Sequence, residues 1–156
     1  MAEGEFALVR QHLEIALSKS AAWVGEHDLY AMLADAAVQQ RDEAALRHYA
    51  PLAEEAAARY GHTLYQAIAH RAWGVVHRLA GAHAEAEARL NQALELFRGL
   101  DTRWQIGRTL FELGELARAR DDSAGAREHF ARALAAFEEM KAAPDAARAR
   151  AALEAG

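Results

Sequence analysis

Eight histidines are the residues of this chain best able to do chemistry, as metal ligands or as proton carriers. His70 and His77 lie about two helical turns apart and would share one face of a helix. A zinc site asks for partners at i, i+4 or a third ligand close by, as in H-E-x-x-H, and that motif is absent. Both therefore read as half-buried packing residues, each with a ring nitrogen held by a hydrogen bond. The carboxylate pairs Glu54-Glu55, Asp121-Asp122 and Glu138-Glu139 are neighbours in sequence. Neighbouring residues point apart on a helix, so these pairs read as solvated faces and caps, not as a general acid with its base. The absence of Cys removes a thiol nucleophile, a zinc–thiolate site and any disulfide. There is no G-x-S-x-G, no Gly-rich phosphate loop and no supported Ser/His/Asp constellation. No enzyme, cofactor or metal is expected. The arginines remain. Arg78 and Arg118 are 40 residues apart, and so are Arg108 and Arg148. A guanidinium fork grips a carboxylate through two parallel bonds, so arginines in register point to recognition of acidic groups.

The same spacing organises the elements that must position them. Gly74, Ala86, Leu90, Ala93, Leu94 and Phe97 recur 40 residues later as Gly114, Ala126, Phe130, Ala133, Leu134 and Phe137. A fixed period of roughly 20–50 residues marks stacked repeats, in which no unit buries its apolar face alone. The Ala86 to Phe97 series lines one helical face, with small Ala alternating with large Leu or Phe to suit close helix packing. Gly inside a helix costs roughly 1 kcal/mol against Ala, so Gly74 and Gly114 imply a close approach of two helices.

This pattern resembles the tetratricopeptide repeat, W-x2-L-G-x2-Y followed by A-x3-F and a further Ala. The first helix reads His70-x2-Trp73-Gly74-x2-His77 in one copy and Leu110-x2-Leu113-Gly114-x2-Ala117 in the next. His70, Leu110, His77 and Ala117 stand where the family has Trp and Tyr, and the period of 40 exceeds the usual ~34. That longer form looks like the repeats attached to large bacterial regulators, such as maltose-type transcription activators and some signalling ATPases. The resemblance implies that the first helix of each pair lines a concave groove in which a partner lies. Counted from each Gly, the groove positions are Ile68, Arg71, Val75 and Arg78, then Arg108, Phe111, Glu115 and Arg118, with Arg148 added by the closing helix. The arginines would form a basic stripe, Val75 and Phe111 its apolar floor, and Glu115 the dissenting charge. Trp73 reads as core, and Trp23 and Trp104 as wedges at helix starts.

The 156 residues suit one domain, and a 53% hydrophobic, 26% charged composition suits a folded chain. An Ala-rich sequence with Pro only at 51 and 144 favours helix throughout. A formal charge of −5 argues against nucleic acid. No apolar run approaches ~18 residues, so no spanning helix is expected. The acidic start, Met1-Ala-Glu-Gly-Glu-Phe6, lacks the basic and apolar regions of a signal peptide, and with the missing Cys this points to the cytoplasm.

In order, the chain predicts a leading half-repeat over 1–20, with a helix at Glu3–Ser18 and Ser20 as a cap. A degenerate repeat over 26–60 follows, its apolar residues one position out of step and Pro51 kinking or shifting its second helix. Gly61-His62-Thr63 then gives a C-cap and an N-cap. The two clear repeats span 63–100 and 102–141, with Asp101 and the Asp121-Asp122-Ser123 turn as caps, and Pro144 opens a closing helix over 144–154. The expected fold is all-α, a right-handed α-solenoid of antiparallel tetratricopeptide-like hairpins with about eight helices in a single domain, 1–156. The leading function is a protein-interaction module that binds an acidic or carboxylate-bearing peptide in its groove. The alternatives are homo-oligomeric assembly through the terminal helices within a larger bacterial regulator, and a sensor holding a small ligand.

Overall fold

The computed structural model of the chain describes residue 8, residues 10–15 and residues 25–155. Seven helices are defined among them: α1 (Glu26–Gln40), α2 (Glu43–Tyr60), α3 (Thr63–Leu79), α4 (His83–Gly99), α5 (Arg103–Ala119), α6 (Ser123–Glu139) and α7 (Ala143–Glu154). Residues 8 and 10–15 are helical as well, and Ser20 and Trp23 lie outside the described residues. No strand occurs among the described residues. The fold is an all-α solenoid of antiparallel hairpins, in which each helix packs on the next and α1 on α3.

The turns explain the period. A residue with left-handed backbone sits at Arg41, Gly61, Gly81, Asp101, Asp121 and Lys141, one every 20 residues. Such a residue ends a helix by turning its last carbonyls onto the following amides, as Gly61 and His62 do on Ala58 and Ala57. Asp101 occupies this position, so it does not cap the next helix as expected. Thr102 precedes α5 instead, and its hydroxyl bonds back to Phe97 O at 3.1 Å. Thr63 is likewise the first helical residue, after His62. The carboxylates that do cap are Asp42, which accepts from Ala45 N at 3.0 Å, and Asp122, which accepts from Gly125 N at 2.9 Å.

The expected one-residue slip in the first pair is absent. Leu46, Ala50, Ala53 and Ala57 of α2 are buried, 40 before Ala86, Leu90, Ala93 and Phe97 of α4. The register is the same, but large and small residues are exchanged along it, so the matching positions differ in size. Ala34, fully buried, stands 40 before Gly74. Pro51 is exposed and lies inside α2, which runs from Glu43 to Tyr60 without a break.

The close approach implied by the glycines is real. A Cβ on Gly74 would lie 2.6 Å from Leu90 Cγ, and one on Gly114 would lie 2.6 Å from the Phe130 ring. The apolar core has two large parts, one under α1–α3 and one under α4–α7. A smaller cluster of Ala31, Ala67, Ile68, Ala93 and Phe97 joins them. The helical residues 10–15 dock on the first part: Leu13 packs against it and Tyr49 donates to Glu14 Oε1 at 2.9 Å. No helix among the described residues is long and apolar enough to cross a membrane.

Candidate functional site

The central helix α5 is buried along its whole middle, residues 107–117. Four of those residues are polar: Arg108, Thr109, Glu112 and Glu115. Buried polar groups need partners, and those partners define a site on the inner face of the solenoid.

At its base lies Asp35 of α1. Arg71 Nη2 donates to Asp35 Oδ1 at 2.7 Å and Arg108 Nη1 to Oδ2 at 2.7 Å. Burial alone would raise the Asp35 carboxyl, but the two guanidinium groups, Arg108 foremost, outweigh it and hold the pKa below its ordinary 3.8. Arg71 is wholly buried and also donates to Gln105 Oε1 at 2.6 Å. Burial pulls its guanidinium down to about 10 against the attraction of Asp35, so it keeps its charge at neutral pH. Higher on the wall, Glu112 lies 3.4 Å from Arg78 and 3.7 Å from Arg148. Glu115 lies 3.2 Å from Arg41 and 3.4 Å from Arg118. Arg148 donates to Gln39 Oε1 at 3.0 Å and spreads 4.2 Å above the Phe111 ring. Burial depresses the Arg148 pKa, with Glu112 opposing.

The Gln39–Arg148 bond joins α1 to α7, and a cavity of about 490 Å³, open to solvent, lies between α1, α5 and α7. Its lining includes Arg41, Arg108 and Arg148 with Met32, Trp104 and Pro144. Arg108 is 4% exposed, stacks 4.5 Å over Trp104, and has no hydrogen-bond partner for its Nε and Nη2. Trp104 Nε1 donates to Asp145 Oδ2 at 2.9 Å at the start of α7. Three arginines (Arg41, Arg108, Arg148) and two carboxylates (Asp35, Asp145) line the cavity, so its charged groups carry a slight positive excess within an acidic protein.

The expected arginines thus pair with three acids, Asp35, Glu112 and Glu115, but they do not stand equally open. Arg71, Ile68 and Val75 lie beneath the surface. Phe111 is 4% exposed under Arg148, so it does not form an open floor. Met32 and Trp104, at 50% and 39% exposure, supply the accessible apolar surface instead. Asp35, Gln39, Arg41, Trp104 and Glu112 were absent from the expected groove. Asp35 stands 40 before Val75 and 80 before Glu115, so extending the repeat backwards without a slip finds it.

The histidines pack. Arg89 Nη1 lies 2.8 Å from His70 Nδ1 and donates to Glu54 Oε1 at 2.5 Å. Burial, then the Arg89 charge, lowers the His70 pKa, which suits a neutral ring accepting from Arg89. His77 stacks on Trp73 with ring centres 5.5 Å apart. Among the described residues no group of three or more His, Cys, Asp or Glu is placed to hold a metal ion.

Residues 65–139, which include α5 and most of the arginine network, match the family model of the tetratricopeptide repeat. That part of the chain carries tetratricopeptide repeats. The solved structure of BtubC (BKLC) from P. vanneervenii matches 98% of this chain and 72% of its own length, with a TM-score of 0.63 and 20% identity. At that identity the likeness shows a common helical-repeat fold and no more. No curated protein matches the sequence. Tetratricopeptide repeats commonly mediate protein–protein interaction or scaffolding and are generally non-catalytic. In this chain their inner face is the one that gathers the arginines.

Proposed function

We propose that the chain is a non-enzymatic, cytoplasmic protein-interaction module whose inner cavity takes a peptide segment carrying a carboxylate beside a large apolar side chain. The observation that supports this most directly is the pair Arg41 and Arg148: both line the cavity, with side-chain exposures of 57% and 32%. A carboxylate there would accept charge-assisted hydrogen bonds from both guanidinium groups in a partly desolvated cleft, where such contacts are stronger than on an open surface. Trp104, Met32 and Pro144 would cover the neighbouring apolar group. A cavity of about 490 Å³ suits one side chain and its flanking backbone. The excess of arginine disfavours a basic segment, and the acidic chain as a whole disfavours nucleic acid.

The test uses a fluorescein-labelled peptide ending in Glu-Glu-Phe with a free carboxylate, followed by fluorescence anisotropy. Trp104→Ala combined with Arg148→Gln should weaken binding by more than about tenfold, or about 1.4 kcal/mol. Wild-type affinity should fall as salt rises, and capping the peptide carboxylate as an amide should weaken it too. An affinity indifferent to the double variant, to salt and to the amide would overturn the reading.

A second reading, assembly through the terminal helices, is favoured by Leu8, 54% exposed, and by the cleft beside α7 lined by Phe130, Ala152 and Leu153. It expects a mass by light scattering that rises with protein concentration; a constant monomer mass counts against it.

A further inference from the structure

Trp104 lines the inner cavity with its sides unequally occupied. Its indole N–H edge donates to Asp145 Oδ2 at 2.9 Å, which ties the ring on α5 to the first turn of α7. One face carries the Arg108 guanidinium, whose Cζ lies 4.5 Å from the ring centre. Arg108 is only 4% exposed, so that face is the inner one. Trp104 itself is 39% exposed, so the opposite face is the one presented to the cavity. Met32 of α1, 50% exposed, and Pro144 of α7 line the same cavity. A wedge at a helix start would bury both faces of its ring in its own fold, and this one leaves a face uncovered.

We propose that the outer face of Trp104 is a stacking platform that sets the specificity of the cavity: the apolar group taken beside the carboxylate is an aromatic side chain and not an aliphatic one. The inference rests on the inner-face reading above and names the class of residue which that reading leaves open. Two physical preferences point the same way. An indole face gains from an offset or edge-on aromatic ring beyond what burial of equal area gives. The Met32 thioether gains in the same manner from the edge of a ring, whereas an aliphatic chain offers it dispersion alone. The Arg108 charge behind the indole adds a constraint, because it draws π density inward and leaves the outer face less attractive to a second cation. A lysine or arginine side chain is therefore disfavoured on the platform, as it is by Arg41 and Arg148 in the same lining. Asp145 acts as a positioning residue: its bond to the indole N–H fixes the plane in which the platform is offered.

Cyclohexylalanine separates stacking from burial, because it keeps the ring size and apolar volume of Phe but has no π system. Fluorescein-labelled Glu-Glu-Phe and its Glu-Glu-cyclohexylalanine counterpart are titrated with the full chain and followed by fluorescence anisotropy. Wild type should bind the Phe peptide about three to ten times more tightly. Burial alone would favour the saturated ring, which is the more apolar of the two. Trp104→Leu should bring that ratio to about one or invert it, with unchanged helicity by circular dichroism, and Trp104→Phe should keep most of it. A ratio of affinities on each protein isolates the ring contact from any general loss of fold or of carboxylate binding. Equal affinities on wild type, or a preference that survives intact in Trp104→Leu, would overturn the platform. The same titrations separate the two ideas. If both peptides bind equally and both weaken as salt rises, the carboxylate reading stands and the aromatic preference alone falls. If neither peptide binds wild type, the reading falls and the preference falls with it.

Discussion

Asp35→Ala should lower stability by about 3 kcal/mol or more in denaturant unfolding, the largest loss expected from any single carboxylate of the chain. Asp35 is the counter-charge of two arginines, one wholly buried and one 4% exposed. Arg71 keeps Gln105 when the carboxylate is gone, but Arg108 loses the acceptor of its Nη1 while its Nε and Nη2 are already without partners. A buried guanidinium left alone bears its full desolvation cost. Asp35→Asn keeps the shape and removes the charge, so it should fall between wild type and Asp35→Ala. Replacing all three, as Asp35→Leu with Arg71→Met and Arg108→Met, should recover much of the loss, because a buried charge network contributes little net stability beyond an apolar core of equal volume. Acid gives the same test without mutation. The Asp35 pKa is lowered in the fold, so its stabilisation is complete above the unfolded value near 3.8 and is lost as pH falls through the lower folded value. The Asp35→Asn variant should lack that part of the acid dependence. Equal stabilities for wild type and Asp35→Ala would mean that the arginines are hydrated and the network is not a buried one.

The repeat was legible in the sequence wherever it is written in size. Gly74 with Leu90 and Gly114 with Phe130 are pairs of a small and a large residue at contact, and their recurrence is visible without coordinates. The first pair of helices hid the same register because it spreads volume differently: Leu46 and Ala50 replace an Ala and a Leu at equivalent places. Packing depends on summed volume across an interface, so either order fills the space, and a reader of apolar spacing sees a slip where there is none. That misreading also concealed Asp35, the residue that makes the site.

The inner face was legible as a direction and not as a surface. Periodicity says which side of α5 packs inward, and Arg108 points from it towards Asp35 of α1. It does not say that α1 and α7 approach each other, because curvature accumulates over the whole array and no single repeat encodes it. Once they meet, Gln39, Arg41 and Trp104 become neighbours of residues far along the chain, with Gln39 and Arg148 separated by 109 positions. The cation over Phe111 has the same origin. The residue was expected as an open floor, and Arg148 of α7 covers it.

Gly114→Leu should destabilise the fold by about 3 kcal/mol, at the upper end for overpacking. The missing Cβ is the issue before the rest of the side chain. At 2.6 Å from one ring carbon of Phe130 and 2.7 Å from another, it would overlap a ring that is 1% exposed. The ring has little room to retreat, because Phe111 lies 5.1 Å from it and Arg118 covers it at 4.8 Å. For a chain of this size the loss corresponds to a fall in melting temperature of roughly 6–12 °C. Gly99, near the end of α4, is the control: a Cβ there meets nothing within 4 Å. Gly99→Ala should raise stability by a fraction of ~1 kcal/mol through helix propensity alone. Two glycines in helices of one fold should therefore respond with opposite signs. Phe130→Ala joined to Gly114→Leu should cost less than the two changes summed, because each removes part of the other's damage. Strict additivity would show that Gly114 and Phe130 do not touch, and an unchanged melting temperature for Gly114→Leu would require α5 and α6 to pack in a different register.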